Sequence, residues 1–168
     1  MKIMKKIVTF LLLLTISISS FAQIQRNILG LTLGKTTKAS AMSILKSKGY
    51  KLEYNDGNYV CFKPTTFGGV TWEGFEVDFN GNKVSCIMFR LTYTKEDKLS
   101  SYYYNILGKL AKYNNYKGST YNEDFEKSQY YSDKTTEICL RQTYLPSSLY
   151  LRYMYLKADN SQDGADDL

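Results

Sequence analysis

The sequence contains no histidine among its 168 residues, and it has only two prolines and one tryptophan. The lack of imidazole excludes Ser-His-Asp triads, Cys-His dyads and histidine-based zinc sites. A general acid–base pair would have to consist of carboxylates, lysine or tyrosine. Because no other catalytic or metal-binding motif is present, we expect no catalytic residues, no metal and no cofactor.

Cysteine is also sparse. The chain has three, Cys61, Cys86 and Cys139, and their spacings match no metal signature. An oxidising compartment would allow one disulfide among them, with one thiol left over. Buried free thiols that act as small apolar residues are the alternative. The sequence leaves the pairing open.

Long hydrophobic runs are confined to the first 22 residues. Three lysines precede a mostly apolar stretch, Ile7 to Ile18, and Ser20 and Ala22 occupy the −3 and −1 positions of a cleavage site. This is the pattern of a secretory signal peptide, since a membrane span takes about 20 apolar residues. We predict a signal peptide over residues 1–22, a mature chain without a membrane span that starts at Gln23, and a periplasmic or secreted location.

Basic residues predominate in the body of the chain and acidic residues at its end. The formal charge of the whole sequence is +6, and four aspartates fall within residues 158–168. That segment has almost no apolar side chains and is typical of a disordered acidic tail. The basic body could attract an acidic partner, although an ordinary charged surface is the simpler interpretation.

Hydrophobic periodicity predicts two helices, over about 36–49 and 94–113. Residues 64–69 are predicted to form a loop, and residues 119–133 a polar connection with a strand around 129–131. Further strands are predicted at 29–33, 50–54, 59–63, 70–79, 83–93, 136–144 and 149–157. Alternation within the strands assigns their side chains to an apolar face and a polar face. The polar face carries Glu76 and Asp78 on one strand and, on the next, Val84, Cys86, Met88 and Arg90.

The order of elements, helix then strands and again helix then strands, predicts an α+β fold with two helices packed on antiparallel sheet. It also indicates a tandem repeat of two α-β units, 29–93 and 94–157, within one domain of residues 23–157. The segments LTLGK and LTYTK begin 60 residues apart, at Leu31 and Leu91, and support the same repeat.

The segment GLTLGKTT, residues 30–37, is similar to a nucleotide-binding P-loop. A P-loop has four residues between its glycines, whereas Gly30 and Gly34 have three residues between them. A signal peptide precedes the segment, where a P-loop follows a buried strand. We therefore predict that Gly34 ends a strand and that Thr36 or Thr37 caps the following helix.

A longer segment that starts at Leu29, LGLTLGKTTKASAMSILKSKGYKL, is similar to a segment found in known protein families. It resembles the opening of beta-lactamase-inhibitory-protein-like domains and of small outer-membrane assembly lipoproteins, in which helices alternate with antiparallel strands. The resemblance covers residues 29–93 and, more weakly, 94–157. It implies protein binding rather than catalysis, and it transfers no functional residue. The chain lacks the lipid-attachment cysteine of the lipoproteins, which argues against their outer-membrane role.

Two groups of side chains are candidate sites. Glu76 and Asp78 share a strand face with Glu73 nearby, as the two carboxylates of a glycosidase might, although a solvated strand face is the simpler interpretation. The second group lies on strands between apolar neighbours and has the composition of a binding interface: Met88, Arg90, Arg141 and Arg152.

These observations favour an exported, non-enzymatic module that presents a sheet face to a protein partner in the envelope or outside the cell. The alternative is a small envelope enzyme that uses paired carboxylates on a glycan or cell-wall substrate. A basic, tyrosine-rich sheet could also bind nucleic acid, but no RNA-binding motif is present and export argues against it. We expect no nucleic-acid partner.

Overall fold

The computed structural model describes residues 23–92 and 95–156. The predicted signal peptide and acidic tail lie outside the described residues, as do Tyr93 and Thr94. Within the described ranges the chain forms two α-helices, a 3-10 helix and twelve strands. The helices are α1 (Lys38–Ser47) and α2 (Glu96–Leu110), and the 3-10 helix is Ala111–Tyr116. The strands are β1 (Asn27–Ile28), β2 (Leu31–Thr32), β3 (Leu52–Asn55), β4 (Tyr59–Phe62), β5 (Thr65–Phe67), β6 (Val70–Trp72), β7 (Gly74–Asn80), β8 (Lys83–Thr92), β9 (Lys117–Glu123), β10 (Glu126–Ser132), β11 (Thr136–Tyr144) and β12 (Ser147–Tyr155).

Eight of the strands form one antiparallel sheet in the order β3-β4-β7-β8-β12-β11-β10-β9. The last strand of the chain, β12, lies beside β8 at the centre, and the fully exposed strands β3 and β9 form the two edges. Two short hairpins, β1-β2 and β5-β6, stand apart from this sheet. The predicted α+β class, with two helices and antiparallel sheet, is confirmed.

Local sequence signals explain where α1 begins and ends. The Thr37 side chain accepts a hydrogen bond from the Ser40 backbone N–H, as an N-cap does. Gly49 follows the helix with a φ of 82°, in the left-handed region that favours glycine after a helix. Thr36 has another role, because its hydroxyl accepts a hydrogen bond from the Thr32 N–H. Of the two predicted caps, Thr37 is the one used.

Both helices pack on the same side of the sheet. The apolar stripe of α2 is buried over β11 and β12, while α1 lies over β8. The β5-β6 hairpin adds Trp72, which is fully buried and donates its indole N–H to the Phe67 carbonyl at 2.9 Å. These elements share one hydrophobic core with the apolar face of the sheet. All the layers that cover the sheet therefore lie on one side.

Four predicted segments differ from the structure. Of the predicted strand 29–33 only Leu31–Thr32 is a strand, and it follows a turn at residues 29–30. The predicted loop 64–69 contains strand β5, and the predicted strand 70–79 is divided into β6 and β7 at Glu73. The division arises because β6 pairs with β5 and folds Trp72 into the core, whereas β7 pairs with β8. Residues 119–133 form most of the β9-β10 hairpin, a pair of strands where only one was predicted.

A register shift between Asp78 and Phe79 also changes one face assignment. Val84, which pairs with Phe79 on the far side of this shift from Cys86, lies in the core. Strict alternation predicts that Val84 lies on the polar face with Cys86. Among the described helices, neither is long and apolar enough to span a bilayer.

Candidate binding face of the sheet

The sheet face opposite the helices, called the open face below, carries no helix or hairpin within residues 23–92 and 95–156. Its side chains come from the alternate positions of the strands that point away from the core. They are Tyr59, Cys61, Glu76, Asp78, Cys86, Met88, Arg90, Ser128, Tyr130, Glu137, Cys139, Arg141, Tyr150, Arg152 and Met154.

Strand register brings the four predicted binding residues together. Arg152 on β12 lies directly opposite Met88 on β8. One row further along, Tyr150 lies between Arg141 on β11 and Arg90 on β8. Adjacent strands are about 4.8 Å apart, so the four residues form one continuous group on three neighbouring strands.

A cavity of about 330 Å³ opens on this group. It falls within the size range of about 300–1,000 Å³ that is usual for ligand pockets. Three of the four predicted residues line it, together with two tyrosines and the turn between β11 and β12. Its lining is Met88, Tyr130, Cys139, Arg141, Thr143, Leu145, Pro146, Tyr150 and Arg152.

The two arginines of the cavity are held by carboxylates of neighbouring strands. An Nη2 atom of Arg141 lies 2.6 Å from an oxygen of Glu126, and the Arg152 Nη2 lies 2.9 Å from one of Glu137. Each carboxylate takes up only part of a guanidinium group that has five N–H donors. The Nε of Arg152 is buried and has no hydrogen-bond partner among the described residues. Both side chains are therefore positioned and still have donors to offer.

The other half of the open face contains two thiols and two carboxyls. Burial, with help from a hydrogen bond to Asp78, raises the pKa of Glu76 to about 7. The Cys61 thiol donates to Glu76 Oε2 at 3.7 Å, and burial raises the pKa of this thiol to about 11. At neutral pH Glu76 is therefore partly protonated beside Asp78, which lowers the negative charge on this part of the face.

The predicted carboxylate pair lacks the geometry of a glycosidase. Glu76 and Asp78 are neighbours on one strand face, close enough for Asp78 to help raise the pKa of Glu76, whereas catalytic carboxyls lie about 5–9.5 Å apart with a sugar between them. The adjoining cavity, which Arg90 and Glu73 also line, measures about 50 Å³. That volume is about a third of the ~150 Å³ of a cavity that holds one benzene ring. This part of the face does not hold a sugar ring.

All three cysteines are free in the structure, and all three lie on the open face. Cys86 is two strands away from both Cys61 and Cys139. Two strand spacings are about 9.6 Å, more than the ~7 Å between Cα atoms that a disulfide allows. The disulfide that the sequence left open is therefore not formed within this fold.

The sequence did not identify several residues of the larger cavity. Tyr130 was missed because β10 was only partly predicted, and Leu145 and Pro146 because they were assigned to a turn alone. Tyr150 could have been found, since it alternates with Arg152 along a predicted strand.

Comparison with known proteins gives one structural match. No family model matches the chain, and no curated protein matches it. The fold is similar to the crystal structure of a DUF4309 family protein (YjgB) from Bacillus subtilis subsp. subtilis str. 168. The match has a TM-score of 0.48 and 14% sequence identity, and it covers 79% of this chain and 86% of the other.

Proposed function

We propose that this chain is an exported, non-enzymatic protein-binding module that presents the open face to a partner in the envelope or outside the cell. One observation carries the proposal: both helices and the β5-β6 hairpin pack on one side of the sheet, and no element of residues 23–92 and 95–156 covers the other side. An uncovered sheet face with a shaped cavity is suited to docking against another surface.

The composition of the open face supports the same proposal. Arginine, tyrosine and methionine are enriched in the centres of protein interfaces, and arginine and tyrosine carry much of the binding energy there. Around the cavity, Arg141 and Arg152 flank Tyr150 and Met88. Leu145 is 75% exposed at the rim, an unusual position for a large apolar side chain.

The same features define the partner's chemistry. An apolar or aromatic side chain of the partner fills the cavity beside Met88 and Leu145. An adjacent carboxylate accepts hydrogen bonds from the free donors of Arg152 and Arg141. The partner surface is therefore acidic around an apolar centre.

Export rests on the N-terminal sequence, with its three lysines, apolar stretch and small residues before Gln23. The separation of the cysteines is compatible with export. Because the register keeps the thiols too far apart to pair, an oxidising compartment does not disturb the fold.

We also infer that the two halves of the chain are copies of one α-β unit. The first half contributes α1 and the meander β3-β4-β7-β8, and the second contributes α2 and the meander β9-β10-β11-β12. The last strands of the two halves, β8 and β12, pair antiparallel at the centre of the sheet. The two halves are thus arranged as a two-fold axis between β8 and β12 would relate them.

Position-specific photo-crosslinking in the native envelope tests the proposal. A benzophenone amino acid replaces Tyr150 on the open face or, as a matched control, Tyr104, a tyrosine on α2 that is 61% exposed. We expect one discrete adduct from position 150 and none from position 104. Adding Arg141→Glu should abolish the adduct. Adducts from position 104 alone, or equal patterns from both positions, would contradict the proposal.

A further inference from the structure

A second cavity, of about 210 Å³, lies on the helix side of the sheet. It is enclosed by the end of α2 with the following 3-10 helix, by the tip of the β5-β6 hairpin, and by β12. Its lining is Gln25, Phe67, Gly68, Ile106, Lys109, Leu110, Lys112, Tyr113, Leu151 and Tyr153. The sheet separates it from the open face, so it is independent of the proposed protein-binding function.

Tyr153 is the buried polar side chain of this cavity. The residue is only 7% exposed, but its hydroxyl is not among the fully buried polar atoms and reaches the space of the cavity, with no hydrogen bond to any residue that the structure describes. Burial raises the pKa of this hydroxyl. The neighbouring Tyr113 differs, because its oxygen accepts a hydrogen bond from the Gln25 N–H at 3.2 Å. The Tyr153 hydroxyl can therefore donate to an acceptor that enters the cavity.

Two lysines line the cavity, and no acidic residue does. Lys109 donates to the Gly68 carbonyl at 2.6 Å, which leaves two of its three N–H groups for another acceptor. Lys112 lies with its Nζ 4.9 Å from the centre of the Tyr113 ring. Since these two positive charges have no carboxylate partner in the lining, the cavity favours an anionic group.

The walls of the cavity are aromatic. The rings of Phe67 and Tyr153 meet edge to face with their centres 6.1 Å apart, and Phe67 also stacks on Phe89. Aromatic walls of this kind favour a ring that packs in an offset or edge-on arrangement. The volume exceeds that of an apolar cavity of about 150 Å³ that binds benzene, so one ring and a small substituent fit.

We propose that this cavity binds a small aromatic monocarboxylate. Its ring packs among Phe67, Tyr113 and Tyr153, and its carboxylate accepts hydrogen bonds from the Tyr153 hydroxyl and from Lys109 or Lys112. Charge, volume and the unpartnered hydroxyl each point to this class of ligand.

Titration of the full chain with phenylacetate, followed by amide NMR shifts, tests the proposal. Phenylacetamide is the matched neutral probe. We expect saturable shifts at Phe67, Leu151 and Tyr153, and an affinity for phenylacetate about tenfold above that for the amide, since charged acceptors form the stronger hydrogen bonds. No saturable shift up to about 10 mM, tenfold above a Kd of ~1 mM, would overturn the proposal. Equal affinity for the two probes would overturn it as well.

Two variants separate binding from folding. Tyr153→Phe should weaken phenylacetate binding about fivefold, while the melting temperature stays unchanged because the hydroxyl makes no hydrogen bond within the described residues. Lys109→Gln with Lys112→Gln should remove the preference for phenylacetate over its amide, and Lys46→Gln, on the exposed surface of α1, should leave it intact. Unchanged affinity in Tyr153→Phe contradicts the proposed role of the hydroxyl. If that variant does not fold, the result from the lysine pair decides.

Discussion

Gly34 packs against the ring of Tyr155. Gly34 lies in the turn that follows β2, and Tyr155 is the last residue of β12. A Cβ atom at position 34 would lie 2.7 Å from two atoms of the ring. The φ of Gly34 is 72°, a conformation that side chains disfavour. The Tyr155 ring also contacts the guanidinium of Arg26, which lies 5.2 Å from the ring centre. Gly34 is therefore required for close packing against Tyr155, although the sequence around it is similar to that of a phosphate-binding loop.

This contact predicts that Gly34→Ala is costly. The backbone strain and the displaced ring together should lower the free energy of unfolding by about 2–4 kcal/mol. Gly81→Ala is the matched control, because Gly81 has a φ of 59° and nothing within 4 Å of an added Cβ. That change should cost only about 1 kcal/mol. Urea unfolding followed by the fluorescence of the single, buried Trp72 measures both. Equal losses would show that the Tyr155 ring moves away freely.

The raised pKa of Glu76, about 7, predicts a stability that falls with rising pH. The folded state holds the proton more tightly than the unfolded state, so the stabilisation is complete below the unfolded pKa of about 4.5. It is lost as the pH rises through 7. The carboxyl is partly exposed, so solvent screening reduces the loss to about 1 kcal/mol.

Glu76→Gln, which mimics the protonated acid, tests this dependence. The difference in unfolding free energy between the variant and the wild type should grow in favour of the variant between pH 4.5 and 7.5. Glu123→Gln changes an exposed carboxyl at the edge of the sheet and should follow the wild type. Asp78, Cys61 and Arg90 remain in both proteins. If the difference in unfolding free energy between Glu76→Gln and the wild type stays constant across this pH range, the pKa of Glu76 is not raised in the folded state.

The cysteines should be slow to react in the folded protein. Burial raises the pKa of Cys61 to about 11 and that of Cys86 to about 12, so little thiolate exists at neutral pH. Alkylation of Cys61 at pH 8 should be about 100-fold slower than in urea, where the pKa returns to about 8.5. Mass spectrometry after oxidative refolding should count three free thiols per chain. A chain with one free thiol would contradict the separation of the three strands.

Arg141 should matter to binding more than to folding. Its ion pair with Glu126 is partly exposed, and such pairs contribute at most about 1 kcal/mol. Arg141→Ala should therefore melt within a few degrees of the wild type, yet weaken the crosslinked partner's affinity tenfold or more, as expected for an arginine at an interface centre. Lys46→Ala, on the helix side, should change neither property. A large loss of stability without loss of affinity would place Arg141 in a structural role.

The local patterns that the sequence contains were sufficient for the regular elements. Helix α1 begins after Thr37 and ends before Gly49, as the capping signals predict, and β11 matches its predicted range of 136–144. Alternation assigned Cys86, Met88 and Arg90 to one face because each strand has a period of two. These properties depend on near neighbours in the chain alone.

The β5-β6 and β9-β10 hairpins could not be predicted in the same way. Every residue of β9 is exposed, so the strand has no apolar pattern to reveal it. Its backbone is held by pairing with β10, and β10 is held in turn by β11. Likewise, Trp72 lies in the core because β6 is separated from β7 and packs against β8. The hydrogen bonds of each hairpin come from its own two strands, and no apolar pattern marks these pairings in the sequence.

The sequence by itself determined the class of fold, the faces of the central strands and the chemistry that the lack of histidine excludes, because these follow from composition and short-range periodicity. Only the tertiary structure decided that Arg152 lies opposite Met88, that the three cysteines stay apart and that the Tyr153 hydroxyl opens on a cavity. Each of these depends on the register between strands that are distant in the chain, and register is set by the packing of the whole core.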